Sequence, residues 1–473
     1  MDLPDEILLM ISDQIDTQKD RIRLLSVCRR WYKLFFPRVY ARLKVEDDFD
    51  QFDGVARLAS ALLHNLHLAS AIRKFDTGQW GLCDGYRTEF DTTPFHPVLE
   101  KISHCPEELD KWKKGLDGND DEAWFALMLT LMPNLRVLKT EPFCCNDFFE
   151  TVTARIATRQ KPFDTRPALQ HLEEFHSSTD DMKNSNHSAF FIPFFRLPSM
   201  KMFKAHRVWE DEDEEPLPEA ARPPPASSSI TELRFIGETY TRCNGSNGFA
   251  TFITACKNLE IFEYQHDDCA DWSNRYVEFR PRAFYHPLIT TQKHSLQVLR
   301  LSDIGDVEPI DNDSYGPGEA ENILHAGGHP SNGWFGCLKE FTALRELRIR
   351  LRNLLDFGPM SKVPTVTFVE ILPSTLEYLS IADYQIRDFD VLTANLEEML
   401  VSHKDMFPVL GKIEIQPHDL DQSSHDTAGE EGPTPRYEIP VSIRESFDPV
   451  KDTCEKAGIE FVFSLDGEDR LER

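Results

Sequence analysis

LRVLKT, at residues 135–140, spaces an apolar residue, two variable ones, a second apolar residue and one more variable one. The string returns as LQHLEE at 169, MKMFKA at 200, ITELRF at 230, LEIFEY at 259, LQVLRL at 296, LRELRI at 344, LEYLSI at 376 and LGKIEI at 410. Weaker copies are IRKFDT at 72 and IEFVFS at 459. Most copies start 29–37 residues apart, enough for one strand and one helix. Helical patterns stand before several copies: DEAWFALMLTLM before Pro133, GFATFITAC before Lys257 and TVTFVEIL before Pro373. Strands that alternate with helices must run parallel, because only a crossover returns the chain to the same edge. The expected fold class is therefore α/β with a parallel sheet. A single α/β domain whose buried strands share a short apolar string is the competing architecture.

The array resembles an irregular leucine-rich-repeat-like solenoid. It departs from well-formed repeats in lacking most of the fixed Asn and in replacing Leu with Phe, Ile or Met; the chain holds 33 Phe. Polar inserts interrupt it near 209–229 (WEDEDEEPLPEAARPPPASSS), 303–333 and 418–436, and the first leaves little room for a helix between the strings at 200 and 230. Segments of that composition cannot bury enough apolar surface to pack.

Charge marks a boundary near residue 45. Residues 1–45 carry nine Lys and Arg against six acids, a net +3, in a chain of −28, which leaves −31 for the other 428 residues. Such acidity argues against binding nucleic acid, whose phosphates demand a positive surface. No apolar run approaches the roughly 18 residues of a membrane helix, and the start MDLPDEILLM is acidic where a secretory leader is basic. Ten Cys without a CxxC read as reduced thiols. An intracellular chain, cytoplasmic or nuclear, without a membrane partner is expected, and the sequons at Asn186, Asn244 and Asn312 read as chance matches.

Within residues 1–45, Pro4 stands at a helix start with Asp5 and Glu6 in the first turn, where acids meet the positive end of the helix dipole. Ile7, Leu8, Ile11 and Ile15 mark an apolar face, Asp20 is placed to cap a second helix, and Cys28, Trp31, Leu34 and Phe35 continue at helical spacing to Pro37. Three short helices cannot bury all their apolar surface alone. The string LPDEILLMISDQIDTQKDRIRLLSVCRRWYKLFFPRVY resembles an F-box, through LPxEIL followed by LxxVCxxW and a closing Tyr. That resemblance implies a helical module, residues 1–45, ahead of a repeat region, residues 46–473. It also implies docking on a Skp-type adaptor, and through it a cullin, by Leu3, Pro4, Ile7, Leu8, Ile11, Leu24, Val27, Cys28 and Trp31.

No GxxxxGK[ST], GxSxG or HExxH motif occurs. His64 and His67 sit i, i+3 on an expected helix without accompanying ligands, and HDDC at 266–269 reads as a polar turn because a zinc site needs three or four convergent ligands. No catalytic residue, metal or cofactor is expected. On an open strand face the expected outward residues are Lys139, Glu173, Lys204, Arg234, Glu263, Arg300, Arg348, Ser380 and Glu414. Two readings stay open: a ladder of mutually neutralising charges, or a grip by Lys204, Arg234, Arg300 and Arg348 on an acidic or phosphorylated protein substrate. The function implied is the substrate receptor of a Skp–cullin–F-box ubiquitin ligase, a non-enzyme working by proximity. A non-ligase scaffold using the same module for adaptor binding or as a cap is the alternative.

Overall fold

A computed structural model describes residues 3–15, 17–45, 52–78, 90–118, 120–141, 147–178, 186–210, 222–236, 248–266, 279, 281–303, 333–357, 363–384, 388–417 and 445–464. Residues 304–332 of the insert near 303–333, residues 211–221 of the one at 209–229, and the one at 418–436 lie outside them. The chain divides into two compact units, Met1–His206 with Arg222–Ile230, and Arg207–Ala221 with Thr231–Arg473.

The first unit opens with three helices, α1 (Asp5–Asp13), α2 (Gln18–Leu24) and α3 (Arg29–Val39). Pro4 is the residue just before α1, and its carbonyl receives the Leu8 N–H at 3.2 Å. The expected cap of α2 is corrected: Thr17 is the N-cap and accepts the Asp20 N–H, while the Asp20 carboxylate takes the Thr17 hydroxyl and Arg23. The expected stop at Pro37 is corrected too. Pro37 lies inside α3, which runs on to Val39; so near the helix end the lost N–H costs one bond, and Gln18 Nε2 closes the terminus by donating to the Val39 carbonyl at 2.7 Å. Leu8, Phe35 and Val39 form the small core, with Leu9, Leu24, Leu25, Trp31, Leu34 and Tyr40 packed on it.

After Tyr40 the chain enters the sheet without a linker. Strands β1 (Arg42–Lys44), β2 (Lys74–Asp76), β3 (Val137–Thr140), β4 (Glu174–Ser177) and β5 (Met202–Ala205) pair in that order, all parallel. Between them lie α4 (Phe52–His64), α5 (Leu66–Ala71), α6 (His96–Ile102), α7 (Pro106–Asp117), α8 (Asp121–Leu131) and α9 (Asp147–Ala157). Phe75, Leu138, Phe175 and Phe203 stand opposite one another in register, fully buried. Against this spine the 3₁₀ segment Ser188–Arg196 lays Phe191 and Phe194, with the Phe175 and Phe194 ring centroids 4.0 Å apart. Phe where a leucine repeat expects Leu thus builds a stacked aromatic interior.

The second unit continues the plan with β6 (Glu232–Phe235), β7 (Ile261–His266), β8 (Val298–Asp303), β9 (Glu346–Arg350), β10 (Tyr378–Tyr384), β11 (Lys412–Pro417) and β12 (Glu460–Phe463), again parallel and in chain order. Helices α10 (Gly248–Ala255), α11 (Arg282–Thr291), α12 (Phe389–Val401) and α13 (Asp448–Ala457) alternate with them. Leu233, Phe262, Leu299, Leu347, Leu379, Ile413 and Phe461 are its spine. One strand per string and one register position per spine residue is the signature of a repeat array rather than of a single α/β domain. Both weak copies, at 72 and 459, supply full strands.

Two registers are corrected: in the weak copy at 459 it is Phe461, not Val462, that stands opposite Ile413, and the string at 169 is shifted further. The string at 169 begins three residues early: Leu172 and Phe175, not Leu169 and Leu172, occupy the positions of Leu135 and Leu138. All three residues are fully buried, so apolar spacing alone fits either frame and only pairing with β3 separates them. The outward residue of that strand is therefore His176, in place of Glu173.

Candidate interaction surfaces

The three-helix module turns an apolar surface outward. Ile7, Met10 and Ile11 fall at i, i+3 and i+4 of α1, so one helix face carries all three, at 40, 63 and 48% exposure. Leu3 at the head of that face and Val27 in the α2–α3 turn are 46 and 59% exposed, and Ile22 and Tyr32 are also exposed. Pro4 and Cys28 are exposed at helix starts; the Cys28 Sγ accepts the Trp31 N–H at 3.5 Å. Leu8 instead lies in the core, and Leu24 and Trp31 are half-buried against it, with Trp31 edge-on to Phe35 at 5.4 Å. These three hold the surface in shape more than they form it. Met10 is a member of the face that the F-box resemblance does not bring out; its spacing to Ile7 and Ile11 is the signal that marks it.

Charge pairs hold the module without covering this face. Arg30 donates to Asp5 at 2.6 Å and to the Leu3 carbonyl at 2.7 Å, and Arg38 reaches Asp13 at 3.0 Å. Phe36 stacks on His67 of α5, ring centroids 4.5 Å apart and planes 10° from parallel, which joins the module to the first repeat. His64 and His67 do not share a helix: Asn65 ends α4 and caps α5 by accepting the Leu68 N–H. His266 is buried with its Nδ1 3.1 Å from the Tyr264 hydroxyl, a core hydrogen bond; Asp267 to Cys269 lie outside the described residues. Among the described residues no group of three His, Cys, Asp or Glu side chains could hold a metal ion.

The open strand face carries the second surface. In the second unit Arg234, Glu263, Arg300, Arg348, Ser380 and Glu414 stand opposite one another on six adjacent strands. Arg234 pairs with Glu232 on its own strand and donates to Glu263 at 2.9 Å; Arg300 pairs with Glu346 at 2.7 Å and approaches Glu263 at 3.8 Å. Burial works against the Arg300 charge, but Glu346 and Glu263 outweigh it and hold the guanidinium above its ordinary pKa. Ser380 is wholly buried. Glu414 is nearly so, accepting from Tyr378, Ser464 and Gln416; burial pushes its carboxyl up, and these donors bring it below the ordinary range.

In the first unit the equivalent row is Lys139, His176 and Lys204. Burial lowers the His176 pKa, the nearby Lys139 and Lys204 charges add to that, and the Glu174 carboxylate 3.4 Å from Nε2 opposes them. Of the four bases that the sequence offers as a substrate grip, Lys204 belongs to this row and Arg234, Arg300 and Arg348 to the other unit.

Residues 106–428 match a family described as a leucine-rich repeat domain, and residues 1–45 match an F-box-like domain. The chain belongs to the leucine-rich repeat family. No curated protein matches it. The repeat protein thus joins an F-box-like module to a repeat domain. No described helix is long and apolar enough to cross a membrane.

Proposed function

We propose that this protein is the substrate-recognition subunit of a Skp–cullin–F-box ubiquitin ligase, residues 1–45 docking on the adaptor and the repeat region holding a target protein. The observation that carries the reading is the apolar face of Ile7, Met10 and Ile11 on α1, exposed together with Leu3 before that helix and Val27 in the α2–α3 turn, while Leu8, Phe35 and Val39 form the core without them. Exposed apolar residues clustered on one helix face mark a contact surface, whereas scattered ones do not. The receptor forms no covalent intermediate in this reading; holding adaptor and target together raises the effective concentration of the lysine to be modified.

Co-expression with a Skp-type adaptor tests it. Wild-type protein is expected to copurify with the adaptor, and the triple variant Leu3→Ser, Ile7→Ser, Ile11→Ser to lose it while keeping its circular dichroism spectrum. Trp31→Ala is the wrong probe, because Trp31 also packs on the core. No adaptor bound by the wild type would leave the module a cap on the first repeat. Adaptor bound without cullin would favour the scaffold reading.

A further inference from the structure

In the second unit the bases of the open face are answered from within, Arg234 and Arg300 each having a carboxylate in contact. The edge at which the chain enters the strands is set differently. There Thr231, Glu260, Gln297, Arg345 and Glu377 form a row just ahead of β6–β10, each N–H from Glu260 onward donating to the preceding member's carbonyl at 2.8 Å. Glu260 is exposed and has no base beside it in the row. Lys257, three residues before it, makes no ion pair with it. Arg345 is exposed too, and its carboxylate contact, Glu377 at 3.7 Å, lies on the next strand away from Glu260. Along this row lies a cleft of about 470 Å³, lined by Glu260, Gln297 and Arg345 and by Asn258, Ser295 and Ala343 of the turns before them. The turns account for it. In other repeats the residue four places before the spine position reaches back one repeat: Asn134 donates to the Ser70 carbonyl at 2.9 Å, Ser199 to Gln170 at 2.7 Å, Ser229 to Met200 at 2.8 Å and Thr375 to Leu344 at 2.7 Å. At three successive equivalents that bond is missing. Ser295 turns back to Gln292, Ala343 has no hydroxyl, and the Asn258 amide, like that of Gln297, bonds to nothing among the described residues.

We propose that this cleft docks an extended segment of a target protein in which a Lys or Arg and an Asp or Glu stand two residues apart. This rests on the receptor reading, since it assigns the chemistry of what the repeats hold. The basic side chain meets Glu260, the acidic one meets Arg345, and the Asn258 and Gln297 amides between them offer donors and acceptors to the main chain. Spacing supports the pattern. Glu260 and Arg345 are two strands apart, about 9.6 Å at about 4.8 Å per strand. Residues two apart on an extended chain share a face at about 6.8 Å, and long charged side chains on both partners cover the difference. A passing chain fits better than an enclosed small molecule, because Asn258, Glu260, His294, Thr342 and Arg345 are all exposed and no apolar wall closes over them. His294 and Thr342 meet each other at 3.0 Å within the same lining. The target thus lies along the entering edge of the strands, away from the open-face bases Arg234, Arg300 and Arg348.

The test passes peptides of one Ser/Gly scaffold over the immobilised full chain at low salt, each carried in several copies on streptavidin so that weak binding is amplified. One holds Lys-Ser-Glu, one Gln-Ser-Glu and one Gln-Ser-Gln. The Lys-Ser-Glu peptide is expected to bind at least about tenfold more tightly than Gln-Ser-Gln, with Gln-Ser-Glu between them. Glu260→Gln and Arg345→Gln change exposed side chains and are each expected to cost at least about threefold. Glu260→Gln should also make the peptide lysine dispensable, so that Lys-Ser-Glu and Gln-Ser-Glu bind alike, a coupling that a general loss of charge does not produce. Arg234→Ala with Arg300→Ala is expected to leave binding unchanged. Absent or equal binding of the three peptides, no effect of Glu260→Gln or Arg345→Gln, or loss in the Arg234 and Arg300 variant instead overturns the proposal. Adaptor copurification on the same preparations reads the F-box surface separately, so failure of either half is seen on its own.

Discussion

Glu122, on the first turn of α8, shows how one buried residue serves the array at a cost. Its Oε1 accepts the Phe149 N–H at 2.7 Å and so caps the incoming end of α9, where backbone donors have no partner of their own. Burial, aided by Asp120 and Asp147, pushes its pKa up to about 7 from an ordinary 4.5, although the Phe149 and Phe148 N–H groups oppose the rise. A carboxyl that is harder to ionise in the folded chain than in the unfolded one favours folding most below its unfolded pKa. That contribution fades as pH climbs through the window from 4.5 to about 7. Glu122→Gln keeps an acceptor and removes the charge. Its unfolding free energy should match the wild type near the acid end of that window and exceed it at pH 8, by up to about 3 kcal/mol. Equal pH profiles for the two proteins would mean that Glu122 is not held neutral.

Between elements, buried amides do comparable work. Gln292, at the end of α11, is fully buried: its Nε2 donates to the carbonyls of Ile253 and Cys256 at 3.0 and 2.9 Å, and its Oε1 accepts the Leu259 N–H at 2.9 Å. One side chain thus ties the end of α10, the turn into β7 and the end of α11. Gln292→Leu preserves volume but strands these backbone groups, each costing about 1–3 kcal/mol when left unpaired. Gln292→Leu should therefore destabilise the protein about as much as Gln292→Ala in a urea titration; tolerance of Leu would show packing, not hydrogen bonding, to be what matters there. Nothing in the sequence marks Gln292. The strands were legible because each string repeats, and α8 and α10 because their apolar runs end at Pro133 and Lys257. The register at 169 was not, since Leu169, Leu172 and Phe175 fit two frames equally. Nor was the break at Asn65, where a cap residue interrupts an otherwise helical pattern.

Across the whole molecule charge is the dominant imbalance. The chain carries −28, and contacts such as Arg136 to Glu173 or Lys293 to Glu340 are partly exposed pairs of small individual worth. Long-range repulsion among the excess acids should outweigh them. Raising ionic strength from about 0.01 M to about 0.15 M, where the screening length drops from about 30 to about 8 Å, is expected to raise Tm by a few degrees. A fall in Tm would show that the local pairs outweigh the long-range repulsion.

The sequence alone determined the repeat, its parallel strands and most spine positions, which follow from the spacing of apolar residues along the chain, and the F-box-like start through its resemblance in LPxEIL and LxxVCxxW. Which charges neutralise one another, which apolar residues of α1 face solvent, and that Lys139, His176 and Lys204 form one row were decided only by the tertiary structure. The charge relations join residues about 30 positions apart, and the register of neighbouring strands sets them, while apolar spacing along the chain fits more than one register.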